Sequence, residues 1–107
     1  MTTTPRSEVL RMTELVAYQA GSVVSRQITK ADAGNVTLFA FDKDQELSEH
    51  TAPFDALVQV LEGEAEIIIS GEPYRLKAGD AIIMPADEPH AVLALQRFKM
   101  LLTMIRK

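Results

Sequence analysis

Three short apolar runs, rich in β-branched residues, dominate the hydrophobic pattern in the middle of the chain: Leu57–Leu61, Ala65–Ile69 and Ala81–Met84. Glycine, proline, serine and charged residues fill the gaps between them. Runs of this length with such boundaries are typical of short strands joined by tight turns. A helix is disfavoured because a glycine or proline interrupts every window long enough for three helical turns. Residues 56–85 are therefore predicted to form antiparallel β-structure.

The flanking sequence shows the same kind of pattern. Further strands are predicted at Ser22–Thr29, Val36–Phe41, Leu47–His50, His90–Leu95 and Phe98–Ile105, with polar turns at Ala31–Asn35, Asp42–Gln45, Ser70–Pro73 and Ala86–Pro89. The last strand is apolar on both faces, which is expected where a strand is covered on two sides. About eight or nine strands fall within about 85 residues, which is the spacing of an all-β sandwich or barrel.

The N-terminal part of the chain has a different pattern. The first six residues, MTTTPR, are predicted to be a tail. Ser7 is a candidate N-cap for a short helix, since Glu8 follows it and the apolar residues at 9, 10, 12, 15 and 16 fall near helical spacing. Gly21 is the candidate end of that helix. We predict one domain over residues 1–107, with a tail at 1–6, a helix and strand at 7–29 and a barrel core at 36–105.

Composition narrows the function classes. Hydrophobic residues make up 47% of the 107 residues, which rules out wholesale disorder. The 11 Lys and Arg against 15 Asp and Glu give a formal charge of −4, without the basic cluster that nucleic-acid binding needs. There is no cysteine, and no apolar run approaches the roughly 20 residues of a membrane span. We expect a cytoplasmic protein that binds neither nucleic acid nor membrane.

Candidate chemistry rests on two histidines, His50 and His90, each at an end of a predicted strand. No Ser–His–Asp or Cys–His set can be assembled, and the phosphate-binding patterns GxxxxGK and GxGxxG are both absent. The glutamates at 62, 64 and 66 are most simply a solvated strand edge. A lone histidine is more often a surface or hydrogen-bonded residue than a ligand, so the two residues alone do not define a site.

Two motifs resemble those of the cupin family. The segment GDAIIMPADEPH, residues 79–90, resembles the second cupin motif, in which a glycine, a proline and a histidine fall at these spacings. The segment HTAPFDALVQVLEGE, residues 50–64, resembles the first motif. The resemblance covers about residues 36–95 and implies a small single-domain cupin with an RmlC-like jelly roll. In that all-β fold, also called a double-stranded β-helix, two sheets curl around a central pocket.

The metal ligands of the family are only partly present. Cupins typically bind one divalent metal through His, His and Glu of the first motif and His of the second. The resemblance places His50 on the first of these positions and His90 on the last, while Ala52 and Ala56 stand at the other two. It therefore implies a weakly held Fe, Mn, Ni or Zn on His50 and His90, or no cofactor.

Nearby polar residues are poor substitutes for the missing ligands. Asp55 and Gln59 lie an odd number of positions from Ala56, so a regular strand points them to the opposite face. Glu49 is similarly one residue away from His50. We expect all three to be solvated or interface side chains.

Two function classes follow from the resemblance. The first is a small-molecule-binding cupin with His50 and His90 as polar anchors, in a pocket also lined by Phe41, Val58, Val60, Met84 and Met100. The alternative is a divalent-metal-dependent enzyme of the dioxygenase or isomerase type. The two histidines are expected to come from loops of different sheets and to converge on one ligand. Such proximity should lower the pKa of at least one of them.

Assembly as a homodimer is expected because the strands present a second face that a lone jelly roll would leave wet. Its members are Leu57, Leu61, Leu101, Thr103 and Ile105. A C₂ dimer would bury this face, helped by residues 7–29 packing on or across the partner.

Three glycines mark the turns of the central stretch: Gly63, Gly71 and Gly79. Glycine reaches positive φ at little cost, so at least one of them should adopt it.

Overall fold

Nine strands in two sheets form the framework of the described chain, residues 4–106 of the computed structural model. In chain order they are β1 (Val23–Ala31), β2 (Gly34–Phe41), β3 (Glu46–His50), β4 (Phe54–Glu62), β5 (Glu64–Ile69), β6 (Glu72–Lys77), β7 (Ala81–Met84), β8 (His90–Ala94) and β9 (Phe98–Arg106). A 3₁₀ helix, Met12–Glu14, precedes them. Within these residues, no helix is long and apolar enough to cross a membrane.

The order of the strands interleaves the two sheets. One sheet has the order β1-β2-β9-β4-β7 and the other β3-β8-β5-β6. Every neighbouring pair is antiparallel. The chain passes from one sheet to the other and back as it runs from β2 to β9, which is the winding of a double-stranded β-helix. The all-β jelly roll predicted from the sequence is therefore confirmed.

The inward faces of the two sheets form one apolar cluster. We call it the interior cluster; its largest fully buried members are Phe41, Val58, Val60, Ile67, Phe98 and Met100. Each such side chain contributes about 1.5–3 kcal/mol to stability through the surface that it removes from water. This cluster holds the sheets together and surrounds the inner side of β8, where His90 lies.

The outer face of the five-stranded sheet carries a second cluster. Its buried members are Val16, Leu38 and Ala40, and its partly buried ones are Met12, Leu15, Tyr18, Val24, Ile28, Leu61 and Leu101. Residues 12–18 therefore lie across this face, and we call them the strap. Strand β2 serves both clusters because its side chains alternate: Leu38 and Ala40 point outward, Phe39 and Phe41 inward.

The predicted N-terminal helix is wrong in type and extent, because only Met12–Glu14 is helical and it is a 3₁₀ turn. Ser7 has a φ of 60°, whereas an N-cap residue has extended backbone. The carbonyl of Thr13, which a longer helix would use internally, accepts a hydrogen bond from Lys99 Nζ at 2.5 Å. Packing on the sheet thus overrides the helical spacing of the apolar residues.

The domain organisation expected from the sequence stays a prediction. Of the expected tail, residues 1–3 lie outside the described residues. The strap covers this chain's own sheet, so the expected contact of residues 7–29 with a partner also stays a prediction.

Strand β6 begins inside the segment that the sequence predicted as a turn. A two-residue turn, Ser70-Gly71, joins it to β5. Its six residues include Pro73, and five of the six are exposed. An edge strand of this kind lacks the alternation of apolar and polar residues on which the prediction relied.

The three turn glycines all adopt positive φ, at 81° for Gly63, 83° for Gly71 and 94° for Gly79, which confirms the prediction. Gly63 is also required for close packing. A Cβ at this position would lie 1.9 Å from the carbonyl oxygen of Arg97 and 2.7 Å from Phe98. Only glycine therefore lets the β4–β5 turn approach the start of β9.

Candidate functional site

His50 ends β3 and His90 begins β8, and these strands are neighbours in the four-stranded sheet. The antiparallel register pairs the two histidines directly, and Ile69 of β5 lies next to His90 in the same row. The expectation that they come from loops of different sheets is wrong. Antiparallel pairing within one sheet brings them together, because the end of β3 lies beside the start of β8.

The two imidazole rings meet edge to face. Nε2 of His90 lies 3.1 Å from Nε2 of His50, with ring centroids 4.4 Å apart and ring planes at 72°. His90 is 5% exposed, whereas His50 is exposed to solvent. The convergence that the cupin resemblance implied is present, and the pair connects the interior of the barrel with its surface.

The other ring nitrogen of each histidine, Nδ1, lies at hydrogen-bond distance from a backbone carbonyl oxygen. Nδ1 of His50 lies 2.8 Å from the Ser48 carbonyl oxygen, and Nδ1 of His90 lies 3.2 Å from that of Glu88. A carbonyl oxygen can only accept, so both contacts are hydrogen bonds in the tautomer that carries its proton on Nδ1. A neutral imidazole has one such proton, so in this tautomer neither Nε2 carries hydrogen and two acceptor nitrogens face each other at 3.1 Å.

This proton count decides what the pair can bind. The contact between the two Nε2 atoms is relieved by a guest that supplies a hydrogen-bond donor or a positive charge. The neutral pair has no free N–H to offer to an anion. The site is therefore suited to a hydrogen-bond donor or a cation.

Burial lowers the pKa of His90. Desolvation is the largest cause, repulsion from a charged His50 is the second, and the hydrogen bond to the Glu88 carbonyl opposes both. His90 consequently stays neutral to a lower pH than a free histidine, which keeps its lone pair available.

Comparison with known proteins identifies the family. The family model described as "Cupin domain" matches residues 37–105. The chain belongs to the cupin family. An uncharacterised protein from Aquifex aeolicus is similar to this cupin, with 32% identity over 85 residues, 78% of this chain and 70% of that protein.

Solved structures resemble this cupin over nearly its whole length. A conserved protein of unknown function from Streptococcus pyogenes is 36% identical with a TM-score of 0.92, and the match covers 100% of this chain and 96% of that one. A cupin superfamily protein from Desulfitobacterium hafniense is 27% identical with a TM-score of 0.91, over 99% and 97%. A cupin 2 conserved barrel domain protein from Leptotrichia buccalis is 38% identical with a TM-score of 0.88, over 91% of this chain and 47% of that one.

The five apolar residues expected to line the cupin pocket all belong to the interior cluster. Phe41, Val58 and Met100 are fully buried. Val60 and Met84 are 2% and 3% exposed. Their contact with a ligand stays a prediction.

The donor set around the histidine pair is incomplete for a cupin metal. Ala56 is buried in the interior cluster, and neither it nor Ala52 has a ligand atom in its side chain. Asp55 is exposed, and its Oδ1 accepts a hydrogen bond from the backbone amide of Ala86 at 2.9 Å. Residues 4–106 contain no group of three or more His, Cys, Asp or Glu side chains that could hold a metal ion. Two imidazoles suit a metal only where water or a bound substrate completes its shell.

Sequence reasoning missed the two carbonyls that orient the rings, those of Ser48 and Glu88. Each lies two residues before the histidine that it binds. A backbone acceptor has no side-chain signal. The available hint was Pro89, since a residue that precedes proline is restricted to extended backbone.

Proposed function

We propose that this cupin binds a small molecule at the His50–His90 pair, with little or no catalysis. The observation that carries the proposal is the 3.1 Å separation of the two Nε2 atoms. The Nδ1 atom of each ring is already hydrogen-bonded to a backbone carbonyl. The interior cluster would supply apolar contact, and the two lone pairs would fix one polar group. The expected ligand combines an apolar body with an O–H or N–H donor.

Nitrogen NMR of protein labelled with ¹⁵N-histidine tests this proposal with phenol and toluene. The two probes are similar in shape, but only phenol donates a hydrogen bond. We expect phenol to shift the Nε2 resonances of both histidines and toluene to leave them unchanged. His50→Ala and His90→Ala should each weaken phenol binding, and Glu49→Gln, at the exposed neighbour of His50, should not.

Three results would contradict a shared donor site. They are no response to phenol, equal responses to phenol and toluene, and loss of binding in one histidine variant alone. In the last case the remaining histidine would act without its partner.

The alternative function is that of a divalent-metal-dependent enzyme of the dioxygenase or isomerase type. The converging lone pairs favour it, since two nitrogens 3.1 Å apart can both reach one ion at the usual ~2.0–2.1 Å. A bound Fe, Mn, Ni or Zn would supply Lewis-acid or redox chemistry. His50 and His90 would be its protein ligands, with the Nδ1–carbonyl bonds holding both rings in place.

Elemental analysis separates the two functions. The protein is purified without a His-tag and without added metal. A stoichiometric metal that both His50→Ala and His90→Ala remove would favour the enzyme. A metal content far below one per chain in the wild type would favour the small-molecule site.

We also propose a homodimer, formed through the part of the outer sheet face that the strap does not cover. Ile83 and Ile105 are 61% and 59% exposed there, and Leu57 and Thr103 are partly exposed. Leu57 pairs with Ile83 on one side and with Thr103 on the other, so these residues are contiguous. A C₂ interface would bury this apolar face against its own copy.

Light scattering at micromolar concentration tests the assembly. The wild type should have the mass of a dimer, and Ile83→Lys should have that of a monomer because it places a charge in the interface. Val9→Lys, at a residue that is 87% exposed in the N-terminal segment, is the control and should stay dimeric. A monomeric wild type would refute the proposal.

A cytoplasmic location is proposed on the cysteine content alone. The chain has no cysteine, which suits a reducing compartment. Fractionation of the cells that express it would test the location.

A further inference from the structure

An apolar cleft lies where the free edges of the two sheets part. Strand β6 ends the four-stranded sheet and β7 ends the five-stranded one, so each is paired on one side only. The cleft has a volume of about 390 Å³, which lies within the about 300–1,000 Å³ of small-molecule sites. Ile69 and Ile82 line it and pack against the interior cluster, while Tyr74 lines it as an exposed side chain.

The charged groups of the cleft are all negative. Glu72, Glu88 and Ser70 are among its lining residues, and no Lys, Arg or His is. Arg75 alternates to the other side of β6, where it is paired with Glu64 at 2.6 Å. The potential in the cleft therefore favours a cation.

One of the two carboxylates is held in place. The Ser70 hydroxyl donates to Oε1 of Glu88 at 3.0 Å, and the Ser70 amide donates to the Pro89 carbonyl at 2.8 Å. A carboxylate that accepts one such bond keeps further acceptor capacity, so Glu88 is oriented and still able to bind a cation.

From these observations we propose that the cleft between β6 and β7 binds a small organic cation with an apolar body, such as an arylalkylammonium. The ammonium group lies near Glu72 and Glu88. The body packs on Ile69, Ile82 and the ring of Tyr74, which also attracts a cation through its π face. This site goes beyond the proposed function, because it uses carboxylates and a surface cleft and does not require the lone pairs of the histidine pair.

Two probes matched in shape and opposite in charge test the proposal: phenethylammonium and 3-phenylpropanoate. Each is titrated into the full ¹⁵N-labelled chain, and the amide resonances are followed by NMR. In the His50→Ala variant, which lacks one acceptor of the histidine pair, phenethylammonium should still shift the amides of residues 70–72, 74 and 82–84, and 3-phenylpropanoate should leave them unchanged. Glu72→Gln and Glu88→Gln should each weaken binding about threefold, as expected for a partly solvated ion pair. Tyr74→Ala should weaken it at least as much.

Glu66→Gln is the matched control. It removes a carboxylate from the same sheet, but Glu66 alternates with the buried Ile67 and points away from the interior. This variant should bind phenethylammonium like the wild type, and melting curves establish that all variants are folded. Equal shifts with both probes, no shift with either, or unchanged affinity in both Glu72→Gln and Glu88→Gln would overturn the proposal.

Discussion

Lys99 and His90 are both buried polar residues, 9% and 5% exposed, but their polar atoms are used differently. Lys99 lies on the outer face of the five-stranded sheet, where Nζ donates to the Thr13 carbonyl and sits 5.0 Å from the centre of the Tyr18 ring. His90 lies on the inner face of the four-stranded sheet, where its Nε2 faces another acceptor, Nε2 of His50. The ammonium has partners of its own within the protein, whereas the imidazole pair lacks a donor.

The surroundings of Lys99 form a network that fastens the strap. The Tyr18 hydroxyl donates to Oε2 of Glu62 at 2.6 Å, and burial followed by the contact with Glu62 raises the pKa of Tyr18 well above its usual range. The Arg97 guanidinium lies 5.3 Å from the centre of the Tyr18 ring. Glu62, expected to be solvated, is thus bound to the strap. A buried polar group that the protein itself satisfies, such as Lys99, is structural, whereas the His50–His90 pair, which lacks such a partner, is where we propose that a ligand binds.

Gly63→Val is expected to reduce stability the most, because it disrupts the β4–β5 turn beside Lys99. Gly63 follows Glu62 and packs against Arg97 and Phe98, directly before Lys99. Valine would have to adopt a φ of 81° with its Cβ overlapping the Arg97 carbonyl. We expect a loss of about 3 kcal/mol or more in the free energy of unfolding, measured by urea denaturation.

Gly71→Val is the control for that measurement. Gly71 has a similar φ of 83°, but a Cβ there would meet no atom within 4 Å. It should lose only the cost of backbone strain, about 1–2 kcal/mol. If Gly63→Val and Gly71→Val lose the same free energy of unfolding, the close packing at Gly63 contributes nothing to stability.

A smaller effect is expected from Lys99→Met, which tests whether the ammonium is structural. Methionine retains most of the packing volume but leaves the Thr13 carbonyl without its donor. We expect a loss of about 1–2 kcal/mol in the free energy of unfolding. Relative to the wild type, amide hydrogen exchange should become faster in residues 12–18 and change less in β4 and β9. Lys43→Met, at an exposed turn residue, should change neither quantity. A Lys99→Met variant as stable as the wild type would show that the strap is held by apolar contact alone.

The strands that could be predicted from the sequence are those with two-sided patterns. In β2, Leu38 and Phe39 belong to different clusters, and the alternation that separates them is visible in the sequence. Strand β6 has no such pattern because its edge is solvated and contains Pro73. The strap was predicted as a helix from the helical spacing of its apolar residues. That spacing does not show that Lys99, on the sheet, donates a hydrogen bond to the Thr13 carbonyl.

The histidine pair was predictable only in part. The resemblance to the two cupin motifs implied that His50 and His90 would meet. The sheet that they share and the direction of their protons did not follow from the spacing. Both depend on backbone partners, the carbonyls of Ser48 and Glu88, which any residue type could supply.

A weaker effect is expected at the histidine pair, on the pKa of His90. In His50→Ala the pKa of His90 should rise, because repulsion from His50 is the second cause of its lowering. It should remain below the free value of about 6.5, because burial is the larger cause and persists. In the wild type, the unfolded chain takes up the His90 proton at a higher pH than the folded chain does. The contribution of neutral His90 to the free energy of unfolding is therefore fully present above about pH 6.5. It is lost as the pH falls through the folded-state pKa. The Hε1 shift of His90 against pH measures the change, and a pKa that is the same in both proteins would show that the two rings do not interact.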